Sequence, residues 1–166
     1  ELLRLTMDAR LSSILIGREN MLDSSFVFSI YGETDLGKSY LLSLASSLIG
    51  NPKILMRSFN LTLNNFMTLA ELHNNLPMFM NETQLLKTQI DKERTNMTDF
   101  VYTYVDGKEK GRDNQAGQNN TKGRTWCGVE LVTGEHSLVD MCSQPGAKLR
   151  ILEVEQTAQQ FDQELF

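Results

Sequence analysis

Residues Gly32 to Ser39 read GETDLGKS and fit G-x-x-x-x-G-K-[ST] at every defined position. That spacing suits a triphosphate. Backbone N–H groups from Gly32 through Glu33, Thr34, Asp35, Leu36 and Gly37, and on into Lys38, Ser39 and Tyr40, surround phosphate oxygens at the positive end of a helix. The Lys38 ammonium adds charge, and the Ser39 hydroxyl can ligate Mg2+. Gly32 and Gly37 stand where a side chain would obstruct the turn. The bland alternative is a glycine-rich turn with no ligand.

A phosphate loop of this kind works with an acid at the end of another strand. LPMFMNE, residues 76–82, supplies a short apolar run that ends in Asn81 and Glu82. In nucleotide hydrolases of this type the first of two acids holds the Mg2+ shell and the second polarises the attacking water. Glu82 stands in the second place and Asn81 in the first. An amide oxygen still accepts a hydrogen bond from a water on the metal, so Asn81 keeps the geometry and gives up one negative charge. The expectation is weakened Mg2+ binding with hydrolysis of ATP retained. PMFMNE also reads as a plain core strand.

The surrounding pattern supplies the elements that must position these groups. Residues 1–20 carry leucines and isoleucine at helical spacing, FVFSIY (26–31) is a continuous apolar strand, and KSYLLSLASSLIGN (38–51) reads as a helix ended by Gly50-Asn51-Pro52. ILMRSF (54–59) reads as a second strand, residues 62–75 as a helix entered at Thr62, and PMFMNE (77–82) as a third strand. Residues 83–105 have a mainly helical pattern. WCGVELVT (126–133) and LRILEVE (149–155) are the fourth and fifth strands. Strands alternating with helices predict an α/β fold with a mainly parallel five-stranded sheet flanked by helices.

The chain has 166 residues, of which 40% are hydrophobic and 22% charged, as in a single globular domain. It begins at Glu1 without methionine and stops at Phe166 inside a polar helical stretch, so it reads as a piece of a longer polypeptide. No apolar run reaches the roughly 20 residues of a membrane span, and no signal peptide is visible. Cys127 and Cys142 make neither a metal spacing nor a disulfide framework, which suits a reduced, cytoplasmic setting. The Asn-x-Ser/Thr matches at Asn60, Asn81, Asn96 and Asn119 are then chance sequons.

A net charge of −5 argues against a general nucleic-acid coat. Local charge differs. DGKEKGRDNQAGQNNTKGR, residues 106–124, holds five basic and three acidic side chains and four glycines. It is the segment best suited to a polyanion, and it also reads as an ordinary solvated hairpin.

Taken in order, IYGETDLGKS, LPMFMNE, FVYTYVDGKEKGR, WCGVELVTGEHS and GAKLRILEVE resemble the domain of unknown function 927 family. That family occurs in helicase-like proteins of phages, plasmids and other mobile elements and is similar to superfamily 3 and minichromosome-maintenance-like AAA+ helicases. The resemblance runs from about Leu22 to Glu155. It implies an AAA+-like P-loop domain, a hexamer, and single-stranded or forked DNA as partner in DNA replication. A β-hairpin over residues 106–125 would enter the central channel, with Lys108, Lys110 and Arg112 on the DNA phosphates.

The resemblance also implies a polar residue at the end of the fourth strand that senses the γ-phosphate. Thr133 or Glu135 would serve, since Gly134 replaces the asparagine common there in superfamily 3. Thr133 equally reads as a strand cap. Arg150, before the last strand, resembles an arginine finger that acts on a neighbouring subunit's nucleotide, and equally reads as a surface ion-pair partner. Trp126 and His73 read as packing or helix-end residues. Two other functions use the same loop: a nucleotide-dependent switch or scaffold with little or no turnover, and a small-molecule kinase, against which no arginine-rich lid is visible.

Overall fold

The computed structural model describes residues 2–19, 25–83, 97–109 and 123–158. Among the described residues five strands form one sheet: β1 (Phe26–Tyr31), β2 (Met56–Ser58), β3 (Met78–Asn81), β4 (Val129–Gly134) and β5 (Ile151–Glu155). Their order is β2-β3-β4-β1-β5, and every pairing is parallel. The expected "mainly" parallel sheet is thus parallel throughout. β4 lies between the strand that feeds the GETDLGKS loop and the strand that ends in Asn81.

Helices cover both faces. Alternate residues of the central strands separate into two apolar layers, as a sheet buried on both sides requires. Phe28 and Ile30 of β1, Phe79 of β3 and Val129 and Leu131 of β4 pack with Ala9 of α1 (Leu2–Glu19) and with Leu42 and Ala45 of α2 (Lys38–Ser47). Val27, Met78, Met80 and Val132 face the other way, onto Phe66 of α4 (Leu63–Leu72) and Phe100 and Tyr104 of α5 (Met97–Val105). Phe66, Phe59 and Phe100 form an aromatic group there, with Phe66 and Phe100 centroids 4.5 Å apart.

Local chemistry moved several boundaries. The helix expected over 38–51 ends at Ser47, and the start of the expected second strand is instead the short helix α3 (Pro52–Leu55). Asn51 causes this: its side chain caps the Lys53 N–H at 3.0 Å, and Pro52 occupies the first helical position, where its missing N–H costs nothing. Thr62 caps α4 as the sequence suggested, accepting from the Asn65 N–H. β4 starts at Val129 rather than residue 126, because Trp126 still belongs to the returning arm of an antiparallel pair. Its N–H donates to the Gly107 carbonyl, and its indole Nε1 donates to the Tyr104 carbonyl, both at 2.8 Å. Two further short helices, α6 (Leu138–Met141) and α7 (Pro145–Lys148), link β4 to β5.

At the root of the segment expected to form a hairpin, the described residues of its two ends come together. Lys108 bridges Thr125 in antiparallel fashion, and the Glu109 N–H donates to the Arg124 carbonyl at 2.8 Å. Arg124 pins that root to α4. Its guanidinium takes the Glu109 carboxylate in a two-pronged contact, each bond 2.9 Å, and also donates to the Asn64 carbonyl and the Thr68 hydroxyl. Lys110 and Arg112 lie outside the described residues, as does the part of the expected 83–105 helix over residues 84–96.

Candidate functional site

The strand register brings the candidate residues to one edge of the sheet. Asn81 pairs with Ser58, Met80 with Val132, and Ile30 and Tyr31 with Thr133 and Gly134. All lie at the carboxyl ends of parallel strands, the side on which open α/β sheets bind ligands. A cleft of about 310 Å³ opens there, lined by the loop from Thr34 to Tyr40 and by Asn81, Glu82, Gly134 and Glu135.

The loop turns from β1 into α2. Gly37 caps α2 at φ +76°, in the left-handed region that glycine enters at least cost, and Asp35 adopts φ +64°. Lys38 is 8% exposed, and its ammonium folds back on the loop, donating to the Gly32 carbonyl at 2.9 Å and the Glu33 carbonyl at 2.5 Å. Burial lowers the Lys38 pKa, while the Glu135 and Asp35 carboxylates pull it upward. Ser39 and Tyr40 are exposed on the first turn of α2. The Thr34 hydroxyl donates to the Glu135 carboxylate at 3.0 Å, which links the loop to the end of β4.

Asn81 sits at the centre. Its Oδ1 accepts from Ser39 Oγ at 3.2 Å and from Thr133 Oγ1 at 2.5 Å. Three elements therefore meet on one amide oxygen: α2, β3 and β4. Glu82 follows at φ +66°, a strained backbone for a non-glycine residue, and such strain clusters at functional sites. Its exposed carboxylate accepts from Ser58 Oγ at 3.1 Å. Glu82 also lines a second, open cleft of about 700 Å³ with Arg57, Ser58, Asn60 and α4 residues.

Gly134 is fixed by packing. A Cβ there would overlap the Thr83 hydroxyl, so the position that the resemblance gives to asparagine has no room for one. Of the two candidate sensors, Thr133 is buried against Asn81, and Glu135 is exposed at the mouth. Arg150 lies at the opposite edge. Its carbonyl accepts from the Val27 N–H at the start of β1, roughly 16 Å of strand from the loop. Its guanidinium donates to the Gly146 carbonyl at 3.0 Å and sits 4.9 Å over the Tyr102 ring.

The residues fit a metal-assisted triphosphate. Among the described residues no three His, Cys, Asp or Glu side chains gather as a metal cluster. A P-loop does not need one, because Ser39, the phosphates and water make up the shell. The Ser39 hydroxyl and the Asn81 amide oxygen are adjacent and oxygen-bearing, as a hard cation requires.

Sequence reasoning missed Ser58 and Thr83. Ser58 touches Glu82 only because β2 and β3 pair in register, and Thr83 matters only because it fills the space over Gly134. Nothing local in the sequence marks either.

A profile of the family described as domain of unknown function (DUF927) matches residues 2–124. No curated protein matches the chain in sequence at a significant level. Among solved structures, the SCCmec type IV Cch active helicase superposes with a TM-score of 0.66 at 22% identity. The match covers 96% of this chain and 28% of that one, so the chain corresponds in fold to somewhat more than a quarter of the helicase's length. No helix among the described residues is long and apolar enough to cross a membrane.

Proposed function

The chain belongs to the domain of unknown function (DUF927) family, and on that premise we propose that it is the ATP-binding and ATP-hydrolysing motor module of a nucleic-acid helicase or translocase of a mobile element. The observation that carries this reading is the meeting of Ser39, Asn81 and Thr133 on one amide oxygen, beside the GETDLGKS loop and Glu82.

Each residue has a role that its surroundings support. Lys38 exchanges the Gly32 and Glu33 carbonyls for phosphate oxygens, with the loop N–H groups around it. Ser39 and, through water, Asn81 would hold Mg2+, which would supply positive charge against the triphosphate. Glu82 stands at the mouth as the base that takes a proton from water, once it leaves Ser58. Thr133 holds the Asn81 amide and serves as sensor.

Arg150 points away from the cleft of its own chain, which suits a finger presented to a neighbour in a hexamer. Lys108 lies in the antiparallel contact with Thr125, and Lys110 and Arg112 follow it in sequence; these three cations would meet single-stranded or forked DNA. The test is ATP hydrolysis by the protein, with and without single-stranded DNA. Stimulation by DNA and loss of turnover in Lys38→Ala are expected. Absence of both overturns the reading.

A second reading, a nucleotide-dependent switch with little turnover, draws on the neutral Asn81 and on the Ser58–Glu82 contact. Tight ATP binding in calorimetry with no product in a single-turnover assay would select it. The small-molecule kinase has no such observation in its favour.

A further inference from the structure

The residue after β5, Gln156, is 4% exposed and grips the GETDLGKS loop at both ends. Its backbone N–H donates to the Tyr31 carbonyl at 2.7 Å, where the loop begins. Its carbonyl lies against Gly32 so closely that a Cβ there would overlap it. Its side-chain Nε2 donates to the carbonyl of Leu36, just before Gly37 opens α2. One residue thus fixes the span between the loop's entry and exit. The other half of the same amide, Oε1, is buried and has no partner among the described residues.

We infer that Gln156 is a positioning residue that holds the GETDLGKS loop in its phosphate-binding shape, so that nucleotide affinity depends on its side-chain amide. This rests on the reading of that loop as an ATP site. The orphaned Oε1 is the reason to separate this role from stability: a buried acceptor left unpaired opposes folding, and an apolar side chain of the same length avoids that penalty. The amide therefore adds little net stability. Its Nε2 contributes a fixed anchor for the Leu36 carbonyl, and a loop that arrives pre-shaped loses less entropy on binding phosphate.

Two variants of the full chain test this, Gln156→Met and Gln156→Glu, with ATP affinity by titration calorimetry and thermal unfolding measured on both and on the parent. Gln156→Met is expected to bind ATP about five- to tenfold more weakly with an unchanged or raised Tm. Gln156→Glu is expected to bind more weakly at neutral pH and to recover relative to the parent as pH falls, because the protonated carboxyl again donates to Leu36. If the parent binds ATP and both variants bind within twofold of it at every pH, Gln156 has no such role. A Met variant whose affinity falls only in step with its Tm, together with a flat pH ratio for the Glu variant, also overturns the inference. A parent that does not bind ATP overturns the ATP reading itself.

Discussion

The Ser39 hydroxyl donates to the Asn81 amide oxygen at 3.2 Å, across the gap between the first turn of α2 and the last residue of β3. Thr133 reaches the same oxygen from β4. An aspartate would accept these two bonds in the same place and would add a full negative charge. Asparagine thus keeps the hydrogen-bonding arrangement of an acid strand and removes only its charge.

Asn81→Asp should therefore leave the fold intact and strengthen the hold on the metal. Charge-assisted contacts are roughly twice as strong as neutral ones. The Mg2+ concentration for half-maximal ATP turnover is expected to fall by about tenfold, measured in an ATPase titration at fixed ATP. An unchanged Mg2+ dependence would remove Asn81 from the metal site.

Ser58 holds the Glu82 carboxylate at 3.1 Å, toward β2. A carboxylate that accepts a hydroxyl there has less freedom to take a proton from water. Ser58→Ala is expected to raise basal ATP hydrolysis about threefold, within the modest worth of one exposed hydrogen bond. Glu82→Gln is expected to cut turnover by about 100-fold or more while ATP binding persists. Equal single-turnover rates for the parent and Glu82→Gln would show that Glu82 is not the base.

Gly134 abuts the Thr83 hydroxyl, and that hydroxyl is buried without a partner among the described residues. Gly134→Ala should cost about 1–3 kcal/mol in urea unfolding, the usual penalty of overpacking. Adding Thr83→Ala should recover part of the loss, because the hydroxyl is the nearest obstacle. Full stability in Gly134→Ala alone would mean that the end of β4 has more room than this packing allows.

Glu130 lies on β4 in the layer that faces α4 and α5, fully buried, with neither carboxylate oxygen paired among the described residues. Burial pushes its carboxyl well above the usual carboxylate range. The sign follows from linkage. The folded chain keeps the proton that the unfolded chain gives up above about pH 4.3, so the stability is fully present below that pH and declines as pH rises toward the folded-state pKa. Glu130→Met is expected to add on the order of 2 kcal/mol at pH 7 and to flatten the slope of stability between about pH 4.5 and 7. Tm measured across that range decides it, and parallel curves for parent and variant would contradict it.

Much of this protein was legible from local pattern alone. GETDLGKS announces its turn by glycine and lysine spacing, and FVFSIY is apolar on both faces, Ser29 apart, because both faces of β1 are covered. Thr62 marked the start of α4 by capping chemistry, which acts within three residues. The same local chemistry at Asn51 and Pro52 would have revealed α3, but the apolar run that follows carried the strand assignment two residues too early.

The candidate site divides along the same line. Its loop, its acid strand and the basic hairpin segment could be read in order along the chain, because each is a contiguous motif with its own spacing. Strand order could not be read that way: that β4 lies between β3 and β1, and so carries Thr133 to Asn81, is a matter of long-range pairing. Ser58 on Glu82, Thr83 on Gly134, and Gln156 across the loop join residues that are 24, 51 and 120 positions or more from a partner only when the sheet is assembled. Sequence by itself determined which groups the protein has that suit a triphosphate. Only the tertiary structure decided which neighbours hold them, because hydrogen bonds and close packing depend on distances that the register of a parallel sheet sets and that no local spacing encodes.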